Sequence, residues 1–375
     1  MVERFDVRDD RATRTGMLAG FRLDLYRCLT SWGDALFELC DAILCSPSPV
    51  GSVPSLSLEP VSRRGHGSLY KALALGDINT DGLRQVLVAN LPASRLPVFA
   101  VDASTWDRCD AETSPERGFY YSASKHSAGQ PIVADWNYQW ISQLSFTPDS
   151  WTAPCDVIRI PPAADTTNAT VDQVRRLVAL LPADGDGAMF VFDAGYDPIA
   201  LGYELDATRT QVLCRIRDDR VFHHEPPPRP NRPPSTGGRP PRHGHRFKCS
   251  DASTWTEPAD RLVAADPRYG TVTAWNGLHP KLWRRGHWTD HDTPPIVNGT
   301  VIRVDVEHLP KPTARTKKTL WLLVVRTRPT RPRSVPALLP APLRHRTHLP
   351  VHQRTPSAGP PRRCAHPLRP TAGRG

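Results

Sequence analysis

Two aspartates have neighbours that suit them to chemistry. Each ends an apolar run and precedes small or turn-forming residues, in Val98-Phe99-Ala100-Val101-Asp102-Ala103-Ser104 and in Phe190-Val191-Phe192-Asp193-Ala194-Gly195. A carboxylate at the C-terminal end of a buried strand is held rigidly at the rim of a sheet, where α/β proteins place ligands. Two such carboxylates on neighbouring strands can share Mg²⁺, a hard cation held by one or two carboxylates together with phosphate oxygens. The plainer alternative for either residue is a strand-ending Asp that caps the next turn.

Several basic residues suit a phosphate-bearing partner. Arg215 and Arg217 follow a strand at alternate spacing, which puts both on one face, either to position phosphates or simply solvated. Residues 225–248 hold Arg229, Arg232, Arg239, Arg242, Arg246 and Lys248 against one acid, Glu225. Prolines keep that segment extended, so it either tracks a nucleic-acid backbone by charge or is a solvated loop. Lys125, in SASKHSAG, either reaches a phosphate or bonds its own loop. Trp136, Tyr138 and Trp140 read as core.

The elements that must position these residues follow from periodicity. Apolar residues at helical spacing over 16–46 predict a helical N-terminal region. A Ser/Pro stretch at 46–60 breaks it, and 63–91 reads as one or two further short helices. From residue 97 the pattern changes to short apolar strands closed by acids, at 97–104, 131–144, 187–198 and 210–219, with a helix over 167–182. Such alternation predicts an α/β core. Strand-like alternation returns over 268–309, and 317–325 is the last stretch that resembles a core element.

At 375 residues the chain has room for two or three domains, and its 40 prolines, about twice ordinary usage, show that part of it does not pack. The formal charge is +10, yet the last acid is Glu307, and residues 308–375 carry 15 Lys and Arg. Residues 1–307 therefore have 33 basic residues against 38 acids, a net of −5. No aromatic residue follows Trp321, so the end of the chain cannot bury enough apolar surface to offset its entropy, and disorder is expected from about residue 326. Eight cysteines without a Cys-x-x-Cys pair or a regular framework argue against zinc and disulfide scaffolds alike and for reduced thiols. A charged N-terminus and the lack of a long apolar run lead to the expectation of a cytoplasmic protein.

The segments 98–133, 190–205, 212–222, 226–251 and 299–321, in that order, resemble the DDE transposases of bacterial insertion sequences, specifically an actinobacterial-type group. The resemblance covers about residues 1–321. It implies an RNase H-like α/β catalytic core with Asp102 and Asp193 as the first two acids of a triad. It also implies a β-rich insertion between the second acid and the third. Two divalent ions, Mg²⁺ or Mn²⁺, are implied for strand cleavage and transfer, with DNA as partner and a homodimer to pair the element's ends. The domain organisation then expected is a helical region at 1–92, a candidate for DNA binding, and the first part of the core at 93–211. The insertion follows at 212–310, a last core element at 311–325 and a disordered tail at 326–375.

The family's third acid is a glutamate on a helix after the last strands, and this chain has no Glu after Glu307. Pro336 to His352 can be encoded by codons that, moved by one base, read Arg-Arg-Tyr-Phe-Arg-Arg-Arg-Phe-Asp-Ile-Glu-His-Thr-Phe-Arg-Phe-Ile. That string looks like the missing helix, with its glutamate codon straddling Arg346 and Thr347. A frameshift between about Trp321 and Arg331 accounts for the loss of acids and aromatics together. The expectation is a transposase copy with impaired catalysis, and the alternative is a non-catalytic DNA-binding remnant or regulator of a full-length relative.

Overall fold

The computed structural model describes residues 7–109, 111–121, 132–146, 151–183, 185–227, 241–263, 270–306 and 319–326. They fall into two compact units, one reaching Pro92 and the other starting at Ala93. Lys125, Arg229, Arg232, Arg239 and the tail beyond Arg326 lie outside the described residues.

The first unit consists of α1 (Val7–Arg27), β1 (Leu29–Ser31), α2 (Gly33–Cys45), α3 (Val53–Leu56), α4 (His66–Leu75), β2 (Asp77–Ile78) and α5 (Thr80–Ala89). The helical pattern over 16–46 is split by β1, which pairs antiparallel with β2, and by Trp32 in the left-handed region at φ 54°. Within the Ser/Pro stretch, Ser52 caps α3 by accepting from Ser55 N, and Pro54 sits in its first turn, where its missing N–H costs nothing. Leu39, Ala42, Leu56 and Leu69 form the core beneath α2, α3 and α4.

The second unit is built on one large sheet. Its elements are β3 (Val98–Asp107), β4 (Gly118–Tyr121), β5 (Ile132–Leu144), β6 (Thr152–Ile160), α6 (Thr166–Val178), β7 (Ala188–Phe192), α7 (Pro198–Glu204) and β8 (Thr210–Ile216). There follow β9 (Val221–His223), β10 (Arg246–Lys248), β11 (Asp260–Val263), β12 (Thr271–Leu278), β13 (Gly299–Asp305) and β14 (Thr319–Arg326). The strand order is β11-β12-β13-β14-β8-β7-β3-β5-β4, with β6 also on β5, while β9 and β10 form a separate pair.

The parallel pairs are β3 with β7 and β7 with β8, and each needs a crossover, provided by α6 and α7. The arrangement β6-β5-β3-β7-β8, antiparallel on one side and parallel on the other, is the RNase H-like α/β core that the resemblance implies. Val98, Met189, Leu213, Ala274, Ile302, Leu322 and Val324 form a core along one face of the sheet. On the other face Phe99 stacks on Phe190 with centroids 5.2 Å apart, and α7 approaches β14 so closely that a Cβ on Gly202 would overlap Val325 Cγ1. Strands β11 to β13 extend the same sheet. Phe247, Trp255, Trp275 and Trp321 pack together there, and Trp255 and Trp321 lie 5.6 Å apart.

Two sequence expectations need correction. β3 does not close at Asp102 but runs on to Asp107, because β5 pairs with it along that whole length. Nor do Trp136 and Trp140 lie in the core. The buried face of β5 carries Asp135, Gln139, Ile141 and Gln143, while Trp140 is 40% exposed. An alternating strand has two faces, and the side chains able to bond α6 took the inner one.

Candidate active site

The ladder between β3 and β7 decides the geometry. Val98 pairs with Met189 and Ala100 with Val191, so Asp102 and Asp193 occupy the next positions of the same face, on strands about 4.8 Å apart. The register continues to both sides. Asp102 pairs with Trp140 of β5, and since Val191 pairs with Leu213, the position after Asp193 in the row is Arg215 of β8. One line across the sheet therefore reads Trp140, Asp102, Asp193, Arg215.

The two carboxylates feel each other. Burial raises the Asp102 carboxyl above its ordinary value, the Ala103 N–H opposes that shift, and the charge of Asp193 raises it further. Like charges held side by side in partial burial cost free energy until a cation sits between them. This mutual repulsion makes the pair fit for a divalent ion. Each carboxylate is fixed through one oxygen: Ala103 N donates to Asp102 Oδ1 at 2.9 Å, and Gly195 N donates to Asp193 Oδ1 at 2.7 Å. Oδ2 of each lies outside these bonds. The turn after Asp193 then enters α7, where Asp197 accepts from Ile199 N and Ala200 N.

A buried polar cluster supports the opposite side of the sheet. The Tyr196 hydroxyl donates to Gln139 Oε1 at 3.1 Å, the Thr170 hydroxyl donates to the same oxygen at 3.1 Å, and Gln139 Nε2 donates to Gln173 Oε1 at 2.8 Å. Burial, then the charges of Asp102 and Asp193, push the Tyr196 hydroxyl well above its usual value, so it stays a donor. Cys214, whose thiol donates to Asp193 O at 2.9 Å, is pushed up to about 12 by burial and by Asp193. This cluster is not singled out by sequence reasoning, and Trp140 is read there as core. The one available signal, glutamines within a strand pattern, has no chemistry of its own.

The remaining predicted positions are dispersed. Arg215 and Arg217 are exposed, and Arg217 pairs with Asp219. The Arg242 guanidinium donates to Pro294 O, Arg246 lies exposed on β10, and Lys248 is half-buried, its carbonyl accepting from Trp255 Nε1 at 2.9 Å. No helix among the described residues is long and apolar enough to cross a membrane.

No curated protein matches this chain. Among solved structures it is similar to a piggyBac transposase, determined by cryo-EM as a synaptic complex with hairpin DNA. The TM-score is 0.36 at 11% identity, over 77% of this chain and 50% of that one, so this chain spans about half the length of that protein. The family described as DDE superfamily endonuclease matches residues 24–281, a span that contains β3, β7 and both aspartates. The chain belongs to the DDE superfamily endonucleases.

Proposed function

We propose that the chain is a transposase of an insertion sequence, acting on DNA through Asp102 and Asp193, and that this copy is catalytically impaired. The observation that carries the reading is the β3–β7 register, which sets the two carboxylates at adjacent positions of one face where the parallel ladder ends. Asp102 and Asp193 would hold divalent metal, Mg²⁺ or Mn²⁺, each presenting the oxygen left outside its backbone bond. Held there, such ions would supply Lewis acidity for an in-line displacement at phosphorus.

The protein's own groups do the positioning. The N–H groups of Ala103 and Gly195 fix the carboxylate orientations, so little reorganisation is needed when a phosphate arrives. Arg215, next in the row, supplies a positive charge for a phosphate of the strand, and exposed Trp140 offers a ring to an unstacked base. Arg246 and Lys248, with Arg239 and Arg242 of the same loop, add sequence-independent attraction, as does Lys125. A homodimer would pair two element ends.

The impairment follows from the missing acid. Residues 308–375 hold no Asp or Glu, so they supply no third acid to the pair. The frameshift between about Trp321 and Arg331 is part of this proposal, and the nucleotide sequence of codons 318–355 tests it directly. The functional test is Mn²⁺-dependent nicking of DNA that carries the element's terminal repeats. The chain as it stands should cut at least ~100-fold more slowly than a version with the frame restored, and Asp102→Asn should abolish cutting by the restored version. Cleavage indifferent to Asp102→Asn would reject the assignment. Specific binding of the repeats without cleavage by either version would favour the regulator reading, which the absence of a third acid also supports.

A further inference from the structure

Five histidines gather where β9, β10 and the end of β12 meet. His223 N donates to His279 O at 2.7 Å and His279 N to His223 O at 3.0 Å, while His224 N donates to His245 O at 2.9 Å. This pairing sorts the rings into two groups. His224 and His245 stack on each other at 6.3 Å, and His223, His243 and His279 form a triangle with centroid separations of 5.3, 5.2 and 6.4 Å.

Two of the three edges have the dimensions of a metal site. Three imidazoles bonded tetrahedrally to one ion through nitrogens at about 2.0–2.1 Å have centroids about 5 Å apart and ligating nitrogens about 3.3 Å apart. Two edges already match, and His243 Nδ1 lies 3.0 Å from His279 Nε2. Among the described residues no such group is closed round one point as it stands. The edge to shorten is His223–His279, by about 1 Å of ring movement on the same scale.

The His223 tautomer agrees with ligation. His223 Nδ1 faces the Gly244 carbonyl at 3.4 Å, which favours the proton on that nitrogen and leaves the Nε2 lone pair available. His279 is fully buried with Nδ1 outside any hydrogen bond that meets geometric criteria. Asn298 lies beside its ring, and that amide donates to Glu225 Oε1 at 3.3 Å. An amide placed beside the ring, itself tied to a carboxylate, is positioned as the support behind a metal-bound histidine would be. The nearby cations are engaged elsewhere: Arg242 with Pro294 O, and Lys281 over the Trp283 ring at 4.5 Å.

We propose that His223, His243 and His279 bind a borderline divalent transition-metal ion of the zinc class, which ties both ends of the Pro/Arg-rich segment to β12. Imidazole nitrogens select such an ion, whereas the oxygens of Asp102 and Asp193 suit a hard one, so the two sites differ in chemistry as well as place.

The test is titration of the chelator-treated full chain with Co²⁺, read by visible absorption. One equivalent should develop the bands of a low-coordinate cobalt centre, and Zn²⁺ should bleach them. His243 is half-exposed, so His243→Ala should keep the native circular dichroism while weakening Co²⁺ binding at least ~10-fold. His245→Ala, in the other pair, should leave binding unchanged, and so should Asp102→Asn combined with Asp193→Asn. Absence of a saturable band overturns the proposal. So does a band that survives His243→Ala, or one that disappears with the two aspartates.

Discussion

Asp102 is the residue whose environment works hardest against it. Its carboxyl is easier to protonate in the folded than in the unfolded chain, so its contribution to stability is present below the ordinary carboxylate value and is lost as pH rises through the raised folded value. Asp102→Asn should therefore raise the unfolding midpoint at neutral pH by on the order of 1–3 °C, an advantage that fades in acid. Calorimetry at pH 7 and pH 4 checks both the sign and the window. The buried cluster on the other face predicts the opposite effect. Gln139→Leu removes the acceptor of the Tyr196 hydroxyl and the donor to Gln173 Oε1, while Thr170 keeps its bond to Thr166 O, at a cost of about 1–3 kcal/mol read by urea unfolding. Among the cysteines, Cys45 is exposed, whereas Cys214 and Cys249 are buried and each pushed up to about 12. Alkylation of the native protein at pH 8 should label Cys45 within minutes and leave those two unmodified until unfolding. The strands that carry the aspartates were legible because each shows an apolar run directly ahead of the acid. Gln139 and Trp140 were not, because alternation is the same whichever face turns inward.

At the scale of elements, length and local chemistry decided what could be read. Strands β3, β7 and β8 show themselves through the apolar runs 98–101, 188–192 and 212–214, and the helical spacing over 167–182 is met by α6, with Asp165 accepting from Asn168 N at its start. Helix α7 is hidden because its seven residues include a proline and a glycine, both poor markers of a helix. That glycine is nevertheless essential to packing. A methyl group added at Gly202 would meet Val325 at a distance no packed carbon occupies, so Gly202→Ala should destabilise the protein by about 1–3 kcal/mol by forcing α7 away from β14. Thermal unfolding reads the cost. A double variant with Val325→Ala should recover part of it, since that change removes the obstructing methyl.

For the whole molecule, charge is divided unequally between the residues up to Arg326 and those beyond it. Ending the chain at Arg326 removes ten arginines and no acids. The shortened protein should keep its unfolding midpoint within about 1 °C, while its affinity for random DNA falls and the slope of log affinity against log salt shrinks by several units. A midpoint that drops instead would show that residues beyond Arg326 pack. The position of β14 has a consequence for synthesis. It is the last of the described strands in sequence, yet it lies inside the sheet, between β13 and β8. While the nascent chain emerges, the free edge of β8 must wait for about a hundred further residues before its neighbour leaves the ribosome, a long-range closure that folds slowly and exposes an adhesive edge meanwhile. A reading-frame error just after Arg326 spares that closure. The same error ten codons earlier would strand β8 without its neighbour and send the product to proteolysis.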